Sequence, residues 1–242
     1  MSASEYLLVD QGPKEWEVAS ASKQPKPVRN PALRVGIWDL GARIAYLPQL
    51  IQAMNKAQRR FRFFQVISAI PAGMISQRER VLQWSRGLKK PEGATTASIG
   101  KNLIDQDFFD SAEPIRKNQN LDYLVGLVPA TIAFEEQGTA HWNYISSFSN
   151  TGTTLLVSVA DFREFAARVE RPLETLVGWA LLSQLLIGRS EQTKSSPDRY
   201  TTTIEDVLVA ARIEPKKIHP KDRKAAESLV KMLGAYRNTL AD

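Results

Sequence analysis

Residues 33–67 read LRVGIWDLGARIAYLPQLIQAMNKAQRRFRFFQVI, and this stretch decides the fold class. Val35 and Ile37 alternate with smaller or polar residues between Pro31 and Gly41, the pattern of a strand over 33–40. Leu47, Leu50, Ile51, Met54 and Ala57 then recur at helical spacing, with Pro48 suited to the first turn. Phe61 to Ile67 is rich in aromatic and β-branched residues and precedes Pro71, so it reads as a second strand. The alternation of Phe61 and Phe63 points both rings at a core. Strand, amphipathic helix and strand in so short a span form a βαβ unit, whose strands run parallel.

Working toward the carboxy terminus, 75–87 reads as a basic helix with Ile75, Val81, Leu82 and Trp84 as apolar contacts. The passage 89–120 is polar and broken by Pro91, Gly93, Gly100 and Pro114, so it is expected to be a functional or mobile connection. Residues 121–133 read as one buried strand interrupted at Pro129. Residues 142–148 and 154–159 flank a Ser149-Asn150-Thr151-Gly152 turn and predict a hairpin. A short helix over 161–168 follows. The helix over 171–187 is apolar nearly all round, which places it at the centre of a domain. The tail predicts helices over 203–211 and 221–236. No internal repeat is present.

The expected fold is therefore α/β (α+β), a mixed sheet of about five strands with flanking helices, a buried central helix and a small carboxy-terminal helical appendage. The Pro-, Ser- and Lys-rich residues 1–32 read as a flexible arm. The core domain is expected over 33–188, a linker over 189–202 and a helical module over 203–242.

The chain has 242 residues, no cysteine and two histidines. A length of this order supports a sizeable core without disulfides. Lack of cysteine excludes Cys nucleophiles and thiolate metal sites. The net charge of +6 is unevenly spread. Residues 56–101 carry ten basic against two acidic residues, a balance of +8, and residues 102–188 carry five against eleven, a balance of −6. No run reaches the ~18 apolar residues that cross a membrane. The start lacks a basic segment leading into an apolar one, so a cytoplasmic protein with no membrane role is expected.

Phosphate-cradle, dinucleotide and nucleophile-elbow patterns are all missing; Gly93 to Gly100-Lys101-Asn102 fails on spacing and on the hydroxyl after the lysine. His141 lies near Glu135 and Glu136, an acid/base cluster or a polar strand edge. His219 stands in a basic turn. Carboxylates such as Glu135, Glu136 and Asp161 leave a third, enzymatic reading open. No cofactor is implied.

The order of elements over 35–188 resembles the amino-terminal half of a zincin metalloprotease. In that family the last helix carries H-E-x-x-H, two imidazoles for zinc with a glutamate base between them. Aligning the glycine after such a motif with Gly188 puts Leu181, Leu182 and Leu185 in place of the ligands and base. The resemblance therefore implies a degenerate, metal-free version with no catalytic and no metal-ligating residue. The tail 203–237 is similar to the carboxy-terminal helical module of phage and plasmid primase–helicases, with Ile218-His219 where a tryptophan is expected and without the helicase domain. That likeness implies mobile-element ancestry or a small helical adaptor.

Two basic clusters are candidates for a nucleic-acid surface. One comprises Lys56, Arg59, Arg60, Arg62, Arg78, Arg80, Arg86, Lys89 and Lys90, with Lys101 at its end. The other comprises Lys216, Lys217, Lys221, Arg223 and Lys224. Both suit phosphates, and equally suit solvent or the chain's own acidic region. The expectation is a non-catalytic intracellular interaction protein, a subunit of a bacterial or mobile-element-encoded complex that binds a protein partner. The alternative is a protein that binds DNA or RNA through the two clusters.

Overall fold

The computed structural model describes residues 31–71, 74, 77–89, 95, 99–189 and 218–236. Strand β1 (Leu33–Asp39), helix α1 (Leu47–Ala57) and strand β2 (Phe61–Val66) form the expected unit, and β1 pairs with β2 in parallel. Asp39 ends β1 and turns the chain: its carboxylate accepts the backbone N–H groups of Gly41, Arg43 and Ile44 at 3.0, 3.1 and 3.0 Å. Gly41 takes φ +93°, a left-handed conformation that suits glycine at this bend.

Helix α2 (Gln77–Ser85), strand β3 (Asn102–Ile104) and helix α3 (Asp105–Asn118) follow. The chain then runs through β4 (Tyr123–Val128), β5 (Thr131–Glu136), β6 (Thr139–Tyr144), β7 (Ser146–Phe148) and β8 (Thr154–Ser158). Helices α4 (Phe162–Arg168), α5 (Leu173–Arg189) and α6 (Pro220–Ala235) complete the described residues. The main sheet has five strands in the order β2-β1-β4-β8-β7, with only β7 antiparallel, and a second sheet has the order β3-β5-β6. The result is a mixed α+β architecture, as expected.

Three sequence expectations need correction. The passage 89–120 contains helix α3, whose Phe108, Phe109 and Ala112 are buried and whose Ile115 packs beside them. That apolar stripe outweighs Pro114, which the helix carries in its interior. Residues 121–133 are not one strand. Pro129 and Ala130 mark a change of sheet, so β4 lies in the main sheet and β5 in the small one. The 142–148 segment divides in the same way between β6 and β7, while the β7–β8 hairpin forms as expected.

Strand alternation separates two cores. Val35, Ile37, Val125, Leu127, Leu155 and Val157 face α1, α4, α5 and α6. Trp38, Leu124, Val128 and Leu156 face α3 and the small sheet. Phe61 and Phe63 sit in the first core, as their alternation predicts. Helix α5 is buried over most of 174–187, with Ala180 half-buried: Leu181, Leu182 and Leu185 have no solvent exposure. Helices α5 and α6 approach closely at Gly178, where an added Cβ would lie 2.3 Å from Leu233 Cδ2. Helix α6 buries Ala225, Ala226, Leu229, Val230 and Leu233 in the first core. The predicted helix over 203–211 lies outside the described residues.

Candidate functional site

In an open parallel sheet, ligands gather where the chain switches direction at the carboxyl ends of the strands. Here that point lies between β1 and β4, and Asp39 occupies it. Its carboxylate already serves three backbone N–H groups, so it holds a turn. The large concavity lies elsewhere, toward β7.

That concavity is a broad groove of about 2170 Å³. One wall is α3, presenting Asp105, Asp107, Asp110, Glu113 and Lys117. The hairpin β5–β6 supplies Phe134, Glu135, Glu136, Trp142 and Tyr144, and β7 with its following turn supplies Ser146 to Thr151. Arg80 and Trp84 of α2 close one end. Small-molecule sites occupy roughly 300–1,000 Å³, so this groove is sized for a chain segment.

The hairpin wall is aromatic. Phe134 stacks on His141 with centroids 5.1 Å apart, and Tyr144 meets Phe134 edge-on at 4.7 Å. This places His141 in a ring cluster and identifies its surroundings as a packed strand face. Tyr144 and Ile145 remain 40% and 41% exposed, two of the few large apolar side chains that are.

The α3 wall is acidic, and its carboxylates differ in what they meet. Arg80 Nε donates to Asp107 Oδ2 at 2.7 Å and a second guanidinium nitrogen donates to Oδ1, a bidentate pair that holds Arg80 firmly charged. Glu113 accepts two bonds from Arg116 at 2.8 and 2.7 Å, and this partner keeps its carboxyl below the usual glutamate range. Asp105 behaves oppositely. Burial raises its pKa, against the Ser147 hydroxyl that donates to it and with the neighbouring Asp107 adding to the rise. Asp110 accepts from the Gln106 amide at 2.7 Å, and Glu135 from the Gly138 N–H at 3.2 Å. At the floor, Thr154 is fully buried and its hydroxyl oxygen has no hydrogen-bond partner.

The basic candidates fall into separate places. Arg60 is not displayed as a free cation: its Nε donates to Asp222 Oδ1 at 2.6 Å, and that carboxylate is 2% exposed. This ion pair brings the start of α6, with exposed Lys221 and Lys224, to the end of α1 and start of β2, with exposed Lys56, Arg59 and Arg62. Arg223 bonds Glu227 on its own helix at 3.1 Å. Arg80 belongs to the groove, and Arg86 and Lys89 are exposed after α2; Lys89 bridges to Thr139 at the start of β6. The 56–101 block thus divides between the β2 edge and the small sheet. The Arg78 side chain and Lys90, Lys216 and Lys217 lie outside the described residues.

Of the scattered carboxylates, Glu135 and Glu136 line the groove, and Asp161 stands before α4, away from it. The α3 carboxylates and Thr154 are site residues that sequence reasoning missed. The signal that marks them is the stripe of Phe108, Phe109, Ala112 and Ile115, which makes α3 amphipathic and leaves its acids on the outer face. Among the described residues, no group of three or more His, Asp or Glu is arranged to hold a metal ion. Among them, too, no helix is long and apolar enough to cross a membrane.

No family model matches the sequence, and no curated protein is similar to it. Among solved structures the chain is similar to archaemetzincin from Methanopyrus kandleri, with a TM-score of 0.44 and 14% identity. The likeness covers 84% of this chain and 98% of that one. At that level it bears on neither the chemistry nor the partners of this protein. The positions of Leu181, Leu182 and Leu185 rest on this chain's own core: all three are packing residues.

Proposed function

We propose that the protein is a non-catalytic interaction domain, a subunit of a larger assembly, whose groove between α3, the β5–β6 hairpin and β7 receives a segment of a partner polypeptide. The observation that supports this reading is the groove itself. It is larger than a typical small-molecule pocket and is walled by a helix and a hairpin. Aromatic rings and Ile145 stay partly exposed beside it, where a folded monomer would ordinarily cover them.

The test is a peptide-display selection against the full chain, followed by titration of the enriched peptides against Trp142→Ala and Tyr144→Ala. The expected result is binding that falls about tenfold or more in each variant, the scale of losing one aromatic contact at an interface centre. Peptides that bind both variants as they bind the parent, or a selection that enriches nothing, would overturn the groove as the interaction surface.

A second reading is favoured by the Arg60–Asp222 pair, which gathers exposed Lys56, Arg59, Arg62, Lys221 and Lys224 at one end of the sheet. Such a surface suits the phosphates of DNA or RNA. Titrations at 50 and 200 mM salt check it: phosphate contacts make affinity fall steeply between such concentrations, by about 10³-fold or more for six contacts. Undetectable or salt-insensitive binding removes it.

A further inference from the structure

From the groove's chemistry we infer that the partner segment it takes is cationic, an extended stretch bearing lysine or arginine side chains. This rests on the groove being an interaction surface and adds the class of its occupant.

Charge is the first argument. Asp107 is answered by Arg80, and Glu113 by Arg116 and Lys117. Asp110, Glu135 and Glu136 carry no ion pair among the described residues, and Asp110 and Glu135 are met only by neutral donors. These three charges line one groove, Asp110 on α3 and Glu135 and Glu136 on the hairpin, so a basic segment lying in it meets carboxylates from both elements. A neutral or acidic segment would leave them desolvated and unpaired, which is the costly outcome.

The second argument is the aromatic wall. Phe134, Trp142 and Tyr144 lie on the hairpin that carries Glu135 and Glu136. Ring faces beside carboxylates attract ammonium and guanidinium groups while their edges accommodate the aliphatic stems. The third is Thr154, whose fully buried hydroxyl lacks a partner within the protein and lines the groove, a group able to accept from an N–H donor as well as to donate. Carboxylates and rings select the same side-chain chemistry, and the orphaned hydroxyl is compatible with it.

The experiment titrates the full chain with three ten-residue peptides, deca-lysine, deca-glutamate and a glycine–serine repeat. Binding is followed calorimetrically and by the fluorescence of Trp84 and Trp142. Deca-lysine is expected to bind at least about tenfold more tightly than the neutral repeat and to weaken with salt. In the Glu135→Gln/Glu136→Gln double variant its affinity should drop about five- to tenfold, with circular dichroism unchanged. Equal binding of the neutral and cationic peptides overturns the inference. So does deca-lysine bound equally by the double variant, or deca-glutamate bound best. Absence of any deca-lysine signal also overturns it, and that outcome covers a basic stretch of this chain already filling the groove. A sedimentation measurement that finds the groove occupied by a second copy overturns it as well. If display instead enriches neutral peptides that depend on Trp142 and Tyr144, the cationic class fails and the groove reading survives.

Discussion

At one edge of the five-stranded sheet β2 is closed by side-chain amides, and at the other β7 opens onto the groove. Asn55 Nδ2 donates to the Phe63 carbonyl at 2.9 Å and Asn55 Oδ1 accepts the Phe63 N–H at 2.8 Å. Gln58 does the same for Phe61, at 2.9 and 2.8 Å. Each amide reproduces one rung that an added strand would make, so β2 cannot recruit another chain there. Basic side chains, Lys56, Arg59 and Arg62, surround this closed edge. The β7 side is three residues long, acidic and lined with rings. One edge has its backbone satisfied internally, and beside the other stand Asp110, Glu135 and Glu136, carboxylates that carry no ion pair among the described residues. The contrast is the reason the proposed recognition surface is the β7 side.

The largest expected effect comes from breaking the anchor beside the closed edge. Arg60→Met takes the guanidinium away from the 2%-exposed Asp222 carboxylate. Loss of one member of a buried pair costs up to about 3–5 kcal/mol, so urea unfolding should show a deficit approaching that size. Asp222→Asn should cost less, because Arg60 is 18% exposed and can turn to water. A smaller loss is expected for Gln58→Leu. It removes four hydrogen bonds, to Met54, Phe61 and Arg60 backbone groups, and leaves the Phe61 N–H and carbonyl unpaired. The deficit should be about 1–3 kcal/mol. Combined with Asn55→Leu, it should also produce concentration-dependent self-association in sedimentation, since β2 would then offer an open edge. A double variant that stays monomeric would break the comparison, because the amides would then not be what closes the edge.

The closed side was the more legible one. Strand alternation in β1 and β2 and the helical spacing of Leu47, Leu50, Ile51 and Met54 are local signals, and the ends of these elements fall close to where the pattern stops. The groove side depends on pairing between distant residues. Nothing local says that the chain leaves one sheet at Pro129 and re-enters it at Ser146, so β4 and β5 read as one strand. The groove's lining runs from Arg80 to Thr154, which spreads its carboxylates too thinly for a spacing motif. Glu135, Glu136 and His141 were conspicuous as a cluster, but the ring stacking on Phe134 that explains His141 depends on the hairpin register. Arg60 illustrates the converse: its place in a basic run suggested display, and its partner lies 162 residues away.

The smallest expected effect sharpens the groove side through pH. Asp105 and Glu113 stand near opposite ends of α3 and are shifted in opposite directions. For Asp105, burial disfavours the charged form, so the folded state holds its proton more tightly than the unfolded chain does. Its contribution to stability is full below the ordinary aspartate value of about 3.9 and is lost as pH rises through the raised folded value. Asp105→Asn removes that loss and retains an oxygen that can accept from Ser147. The variant should therefore melt above the parent at pH 7 and converge with it below about pH 3.9. Glu113→Gln carries the opposite sign. Arg116 stabilises the Glu113 carboxylate, a contribution present above the ordinary glutamate value of about 4.3 and lost as pH falls through the lowered folded value. That variant should melt below the parent at pH 7, with the gap closing in acid. Thermal scans from pH 3 to 8 read both. If both variants shift the same way at pH 7, then Asp105 is held by its hydrogen bonds and not strained by burial. The groove's buried end would then be an ordinary polar surface.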